Sequence, residues 1–299
     1  MVKNFDEVIK LAQKRGPKTI SVAVAQDSVV LAAVKEAHDL GIANAILVGD
    51  KTLIEKEAEK VDLDLSKFEI EDIKDLKEAS EKAVDLIKEG RAHLVMKGLV
   101  DTSIILKAVL RKEADLRTGK VLSHVAVFDL KNYHKILFIT DAAMNIAPTV
   151  EQKKQIIENC IEVAHGMEIS EPKVAVICAK EKVNEKMPAT VDAKELETMN
   201  INGDLTGCIV GGPFALDNAI SKEAAHHKGI EHPVAGDADV LLMPDIEAGN
   251  ILYKSLTYFS GASNAGVIVG AKVPIILTSR ADSDEAKLNS IALGVLTAK

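Results

Sequence analysis

Short apolar runs alternate along this chain with polar turns and amphipathic stretches, and the spacing inside each run decides what it becomes. Ile20 to Ala25 (ISVAVA) is β-branched and nearly continuous, the pattern of a strand buried on both faces. Asp27 and Ser28 then offer helix-capping oxygens. Val30, Val34 and Ala37 follow at helical spacing, and Gly41 can close the helix in a left-handed conformation. Ala45 to Val48 is the next strand, Ala79 to Lys88 a helix ending at Gly90, and Ala92 to Met96 another strand. This alternation predicts a parallel sheet with helices on both faces.

The middle of the chain changes style. Leu122 to Phe128 and Ile136 to Ile139 are split only by Asp129 to Lys135, too short for a crossover helix, so an antiparallel pair is expected. Alternation then resumes. Thr149 and Gln152 form a capping box, followed by the stripe Ile156, Cys160 and Val163 before Gly166. Val174 to Cys178, Cys208 to Val210, Val240 to Met243 and Ile275 to Leu277 read as further strands. Ser283 can cap a last helix with the stripe Leu288, Ile291, Ala292 and Val295. No repeat of fixed period, low-complexity tract or flexible linker interrupts the pattern. The hairpin near residue 120 marks a second α/β domain.

A chain of 299 residues suits about two domains at roughly 150 residues each. Its 47% hydrophobic and 27% charged residues are the usage of a globular protein. A net charge of −8, with six Phe, three Tyr and no Trp, supplies neither a polyanion-binding surface nor base-stacking platforms, which disfavours nucleic acid. No apolar run reaches the roughly 18 residues of a membrane span, and Met1 to Glu7 lacks the basic-then-apolar order of a secretory signal. Cys160, Cys178 and Cys208 are far apart and form no CxxC pair, so they read as small core residues of a cytoplasmic protein. His226, His227 and His232 lack an acidic partner at ligand spacing and read as a polar turn, so no metal is expected.

Phosphate loops of the GxxxxGK[ST] and GxGxxG types are absent, as is a GxSxG elbow, which disfavours nucleotide hydrolysis, dinucleotide binding and α/β-hydrolase chemistry. Polar segments do fall just after predicted strands, where open parallel sheets place ligands. Lys97, Gly98 and Thr102 stand in MKGLVDTS, where a glycine permits close backbone approach and the polar side chains can bond phosphate oxygens; a capped strand-to-helix turn is the structural alternative. Asp141, Asn145 and Thr149 stand in TDAAMNIAPT, Asp217 in GGPFALDN, each with a turn or cap as alternative. PDIEAGN, before Tyr253 and Lys254, concentrates Asp245, Glu247, Asn250 and Lys254 in a short stretch with no evident structural need for them. Only five of the 37 basic residues are arginine: Arg15, Arg91, Arg111, Arg117 and Arg280. The last, in TSRADS, precedes a helix N-terminus, and guanidinium plus helix amides make an anion site in which Ser279 can donate to a developing oxyanion.

In order, MKGLVDT, TDAAMNIAPT, GGPFALDNA, PDIEAGNILYK and TSRADSDEAKLNSIAL resemble the phosphate acetyltransferase and phosphate butyryltransferase family over nearly the whole chain. ALDNA, PDIEAGN and SRADS are similar to the butyryltransferase branch; acetyltransferases more typically carry FDAA-type and SRGCS-type counterparts. The resemblance implies an α/β, two-domain architecture like the isocitrate and isopropylmalate dehydrogenases: parallel-rich sheets flanked by helices, with an interdomain cleft. It places residues 1–119 and 279–299 in the first domain and 120–278 in the second.

The implied reaction is butanoyl-CoA plus phosphate giving butanoyl phosphate plus CoA by direct transfer in a ternary complex. Acetyl or branched-chain acyl selectivity are the alternatives. No cofactor beyond the coenzyme A thioester substrate is implied, and a homodimer or higher homo-oligomer is. Carried onto this sequence, Ser279 stabilises the tetrahedral intermediate and Arg280 holds the phosphoryl group. Where acetyltransferases place a proposed base aspartate this chain has Ala286, leaving Asp282, Asp284 or Glu285 as substitutes. Lys97, Gly98, Thr102, Asn145, Asp217, Asp245, Asn250 and Lys254 are the expected substrate-binding residues. Lys107, Arg111 and Arg117 form a basic stretch suited to the coenzyme A phosphates, or to a solvated helix face. Readings outside this class are a metal- and nicotinamide-dependent dehydrogenase on the related fold and a non-catalytic CoA-binding protein.

Overall fold

The computed structural model describes residues 2–279 and 282–299. In chain order, residues 5–120 hold α1 (Phe5–Arg15), β1 (Lys18–Ala23), α2 (Ser28–Asp39), β2 (Ala43–Gly49), α3 (Lys51–Glu59), β3 (Glu69–Asp72), α4 (Leu76–Lys88), β4 (Leu94–Lys97) and α5 (Thr102–Leu110). Then come β5 (Ser123–Asp129), β6 (Leu137–Thr140), α6 (Val150–Gly166), β7 (Lys173–Ile177), α7 (Pro188–Asn202), β8 (Ile209–Phe214), α8 (Leu216–Ile220), α9 (Lys222–His227), β9 (Val240–Leu242) and α10 (Ile246–Tyr258). The chain closes with β10 (Ser263–Val269), β11 (Ile275–Ile276) and α11 (Asp284–Thr297). Contacts divide the chain into a first unit, 5–120 with 265–299, and a second, 121–264 with the first few residues.

In the first unit the strand order is β3-β2-β1-β4-β11-β10, parallel except for the β10–β11 pair. The chain builds outward from β1 through β2 and β3, then returns to add β4 on the other side. Such a reversal leaves a crevice at the carboxyl ends of β1 and β4. The sequence pattern extends the first strand to Ala25, but β1 stops at Ala23, because Val24 turns into the left-handed region at φ 58°. Residues 265–278, grouped by sequence with the second domain, pack here, as Ile275 and Ile276 pair with Val95 and Met96 of β4.

The final helix is buried more completely than its expected stripe. Every residue from Ala286 to Leu296 is buried, including Lys287, Asn289 and Ser290. An all-round buried helix is a core element rather than a surface one. Arg15 Nη1 donates to the Leu296 carbonyl at 3.2 Å, fixing the end of α11 to α1.

In the second unit the order is β5-β6-β9-β7-β8, with β5 and β6 antiparallel as expected and the remaining pairs parallel. The inner faces bury Phe128, Leu137, Ile139, Ala175, Phe214 and Leu241 in one core. Thr149 and Gln152 make both bonds of the expected capping box. Lysines and aspartates interlock at the amino ends of β6, β7 and β9. Lys135 meets Asp239 at 2.7 Å, and Asp237 meets Lys173 at 2.6 Å, His134 at 2.8 Å and Lys135 at 3.2 Å. Burial alone raises the Asp237 carboxyl, but the bonds from Lys173, His134 and Lys135 outweigh it and hold the group well below the carboxylate range. Its stability contribution is therefore complete above pH about 4, the unfolded value, and is lost as pH falls through the folded one. Asp237→Asn is expected to cost roughly 2 kcal/mol near neutrality, below the about 3–5 kcal/mol of a fully buried pair, and to flatten the acid side of a stability-versus-pH curve measured by urea unfolding.

Candidate active site

The sheet register of the first unit sets three loops side by side. Ala23 is level with Lys97 across β1–β4, and Met96 is level with Ile276 across β4–β11. The segments that follow, Val24–Asp27, Gly98–Thr102 and 277–279 with Asp282, therefore leave the sheet at neighbouring carboxyl ends. Gly98 N–H donates to Ala23 O and Leu99 N–H to Val24 O, both at 2.8 Å. A Cβ on Gly98 would collide with the Val24 carbonyl, so glycine is required by the close approach of two backbones. Positive φ is a genuine outlier for a β-branched residue and costs of order 1–3 kcal/mol. Gln26, buried beside this turn, keeps Oε1 without a partner, and Asp27 Oδ1 caps α2 by accepting from Val29 and Val30 N–H at 2.9 and 3.2 Å.

Lys97 is buried, with Nζ donating to the carbonyls of Gly98 (3.2 Å) and Val100 (3.3 Å). Thr102, by contrast, is an exposed residue opening α5. Ser279 is exposed, and Asp282 latches onto it at both ends of the main chain. Asp282 Oδ2 accepts from Ser279 N–H at 2.6 Å, and Asp282 N–H donates to Ser279 O at 3.2 Å. Arg280 lies outside the described residues. Ala286 donates its N–H to Ser283 Oγ, the cap of α11, at 3.1 Å. Lys287, one residue on, sends Nζ back to Asp282 O at 2.6 Å and Ser279 O at 3.5 Å.

The second unit gathers a separate set. Asp141, buried after β6, accepts from Ala143 and Met144 N–H on Oδ1 and from Asn145 N–H and Nδ2 on Oδ2, at 2.6–3.2 Å. Asn145 Nδ2 also donates to Leu122 O at 2.9 Å. PDIEAGN opens a helix: α10 begins at Ile246, Asp245 caps it by accepting from Ala248 N–H at 2.8 Å, and Asn250 Nδ2 donates to Ala142 O at 3.1 Å. Two of its polar residues thus have structural duties that the sequence did not disclose. Gly249 lets α10 approach closely, since a Cβ there would strike the Asp141 carbonyl. Lys254 is exposed on α10, one turn after Asn250.

Asp217 is not gathered with these. It follows β8 at the far end of the strand order and pairs with Lys228 at 3.0 Å, while Glu181 takes Lys228 at 2.5 Å and Asn218 Nδ2 at 2.9 Å. Bonding to Lys228, then to Asn218, brings Glu181 down to about 2. The basic stretch of the first unit also has internal partners. Arg111 binds Asp85 and the Glu81 carbonyl, Arg117 Nε donates to Leu110 O, and Lys107 is exposed on α5. With Arg15 on Leu296 and Arg91 among Glu69, Glu71 and Glu89, every described arginine has protein contacts.

The chain matches the family model "Phosphate acetyl/butaryl transferase" over residues 4–82 and 74–295. It is 55% identical over 298 residues to a phosphate butyryltransferase of Clostridium beijerinckii, covering 100% of this chain and 99% of that protein. The chain belongs to the phosphate acetyl/butyryl transferase family. Its structure resembles a branched-chain phosphotransacylase from Enterococcus faecalis V583, with a TM-score of 0.83, 37% identity and coverage of 94% of this chain and 98% of that one. A 4-hydroxythreonine-4-phosphate dehydrogenase from Klebsiella pneumoniae shares the fold alone, with a TM-score of 0.60, 10% identity and coverage of 95% and 99%. The dehydrogenase-like α/β class expected from sequence is therefore the class observed.

Phosphotransacylases of this family carry an acyl group between coenzyme A and phosphate, and two routes exist in principle: an acyl-enzyme or direct transfer. The cysteines of this family member are poor nucleophiles. Burial pushes the Cys178 thiol up to about 11, Cys208 to about 12 and Cys160 further still, so none carries thiolate at neutral pH. Ser279, by contrast, is an exposed residue whose main chain is latched to Asp282. Gly98→Ala is expected to displace the Val24 turn, cost about 1–3 kcal/mol in thermal denaturation and reduce activity together with stability.

Proposed function

We propose that this transferase converts butanoyl-CoA and inorganic phosphate to butanoyl phosphate and CoA, reversibly, by direct attack of phosphate on the thioester carbonyl. The observation that carries the reading is the convergence of the Lys97–Gly98 turn and the Ser279–Asp282 latch at neighbouring strand ends, in a chain 55% identical to a phosphate butyryltransferase. Ser279 donates to the carbonyl oxygen as it becomes an oxyanion, and Arg280 holds the phosphoryl group. Asp282 fixes the serine and does not need to act as the base. Asn145, Asp245, Asn250 and Lys254 contribute substrate contacts, and Lys107 and Arg117 bind the coenzyme phosphates.

Magnitudes rank these roles. A placed oxyanion donor is worth about 2.7–4 kcal/mol, and orienting two bound substrates about 7–11 kcal/mol. In the CoA-consuming direction, ionising a thiol of pKa about 8.5 at pH 7 costs only roughly 2 kcal/mol. A weak base is tolerable, whereas loss of the phosphoryl clamp is not. No metal or nicotinamide takes part in this scheme, and the working form is a homodimer or larger homo-oligomer in the cytoplasm, a setting that suits the three free cysteines. Because one methylene in an apolar pocket is worth only about 1–3 kcal/mol, acetyl and branched-chain thioesters are accepted at lower rates. The likeness to a branched-chain phosphotransacylase favours the branched ones.

Thiol release from butanoyl-CoA, with and without phosphate and beside acetyl-CoA, tests the reading. Phosphate-dependent release, faster with butanoyl-CoA and unaffected by EDTA or by omitting NAD, is expected; none from either thioester leaves a CoA-binding protein. Arg280→Ala is expected to lower turnover far more than Asp282→Asn, and equal small losses would overturn the assigned roles.

A further inference from the structure

Lys287 is a cation in the interior of α11 that the scheme above does not use. Only 3% of its surface is exposed. It forms no ion pair among the described residues; its ammonium donates to two main-chain carbonyls, Asp282 O at 2.6 Å and Ser279 O at 3.5 Å. A buried ammonium of this kind carries a large desolvation cost, and α11 packing alone does not call for it, since a methionine would fill a similar volume on an all-buried helix. What the charge does accomplish is local. It ties down Ser279 and Asp282, the same two residues that the Asp282 carboxylate and N–H already join to each other.

We propose that Lys287 is a positioning residue for acyl transfer, its ammonium holding the Ser279 and Asp282 carbonyls so that Ser279 keeps its working position. The inference rests on the reading of Ser279 and Arg280 as the reacting loop. The carboxylates that act on Lys287 are Asp27 from the cap of α2, Asp282 just before α11 and Asp284 in its first turn. Burial pushes the lysine below its ordinary value, and these three carboxylates oppose that shift. Both bonds are charge-assisted only while the amine is protonated, so they weaken as pH rises through this lowered value.

The experiment measures kcat and KM for phosphate against pH in the acyl-phosphate-forming direction, where no thiol has to ionise. Wild type is expected to lose kcat/KM on the alkaline side. Lys287→Met is expected to lower kcat/KM for phosphate at least tenfold at neutral pH, leave the melting temperature unchanged or raised, and abolish that alkaline limb. Asp27→Asn supplies a second arm, because asparagine caps a helix about as well as aspartate. Removing its charge lowers the Lys287 value further and moves the limb to lower pH. A Lys287→Met enzyme within twofold of wild type with the limb intact overturns the proposal. If that variant does not fold, a limb that stays in place in Asp27→Asn overturns it instead. Wild type without any phosphate-dependent turnover overturns the parent reading first, which keeps the two failures distinct.

Discussion

At the end of β1 the chain must turn while still buried, with its carbonyls and amides needing partners, and Val24 does so by entering the left-handed region. The cost of that conformation on a β-branched residue is met by what it arranges: the Val24 carbonyl receives Leu99 N–H, Gly98 packs against it without a side chain, and Asp27 arrives in register to cap α2. Adjacent backbones can approach this closely only because position 98 has no Cβ. The polar groups of the first unit's site depend on this junction, since it fixes where the Lys97 turn leaves the sheet relative to the segment after β11.

A common physical theme runs through both units. Polar side chains expected to meet substrate are first committed to holding loops in shape: Lys97 on two carbonyls, Asn145 on Asp141 and Leu122 O, Asp245 on a helix N-terminus, Asn250 on Ala142 O. Such commitments preorganise the loops of each unit, which then do not have to be ordered at the moment of reaction. Among the expected site residues, Ser279, Thr102 and Lys254 are left exposed, as are Lys107, Arg117 and Asp217.

Much of the fold was legible because its signals are local. The β5–β6 hairpin followed from a gap too short for a helix, and the Thr149 capping box from two residues at fixed spacing. The order of strands was not legible, because pairing β4 with β11 joins residues from opposite ends of the chain and leaves no mark on either segment. Nor was β10 recognised: SNAGVIV carries an asparagine and a glycine among its apolar residues, and its burial is settled only by tertiary contact. In the site, Ser279 and Asp282 were expected from their motif, and the structure bonds them to each other. Arg111 was ambiguous, since a basic residue on an amphipathic stretch looks the same whether it meets a ligand or Asp85. Lys287 gave no signal, for a lysine beside an apolar stripe ordinarily points to water, and only the burial of α11 on all sides removes that choice.

The discontinuity of the first unit bears on how the protein is made. During synthesis β1 to β4 emerge early, yet the strand that completes one side of β4 and the helix that fills the core come only after residues 121–264 have been translated. The second unit, nearly continuous in sequence, can acquire its core while the ribosome is still working. The first must hold β4 as an unfinished sheet edge until β11 arrives, and closing so long a loop is slow compared with forming neighbouring contacts. Unpaired hydrophobic edges of this kind are where nascent chains associate wrongly, which makes the interval before α11 emerges the stage at which a chaperone is most useful to this enzyme.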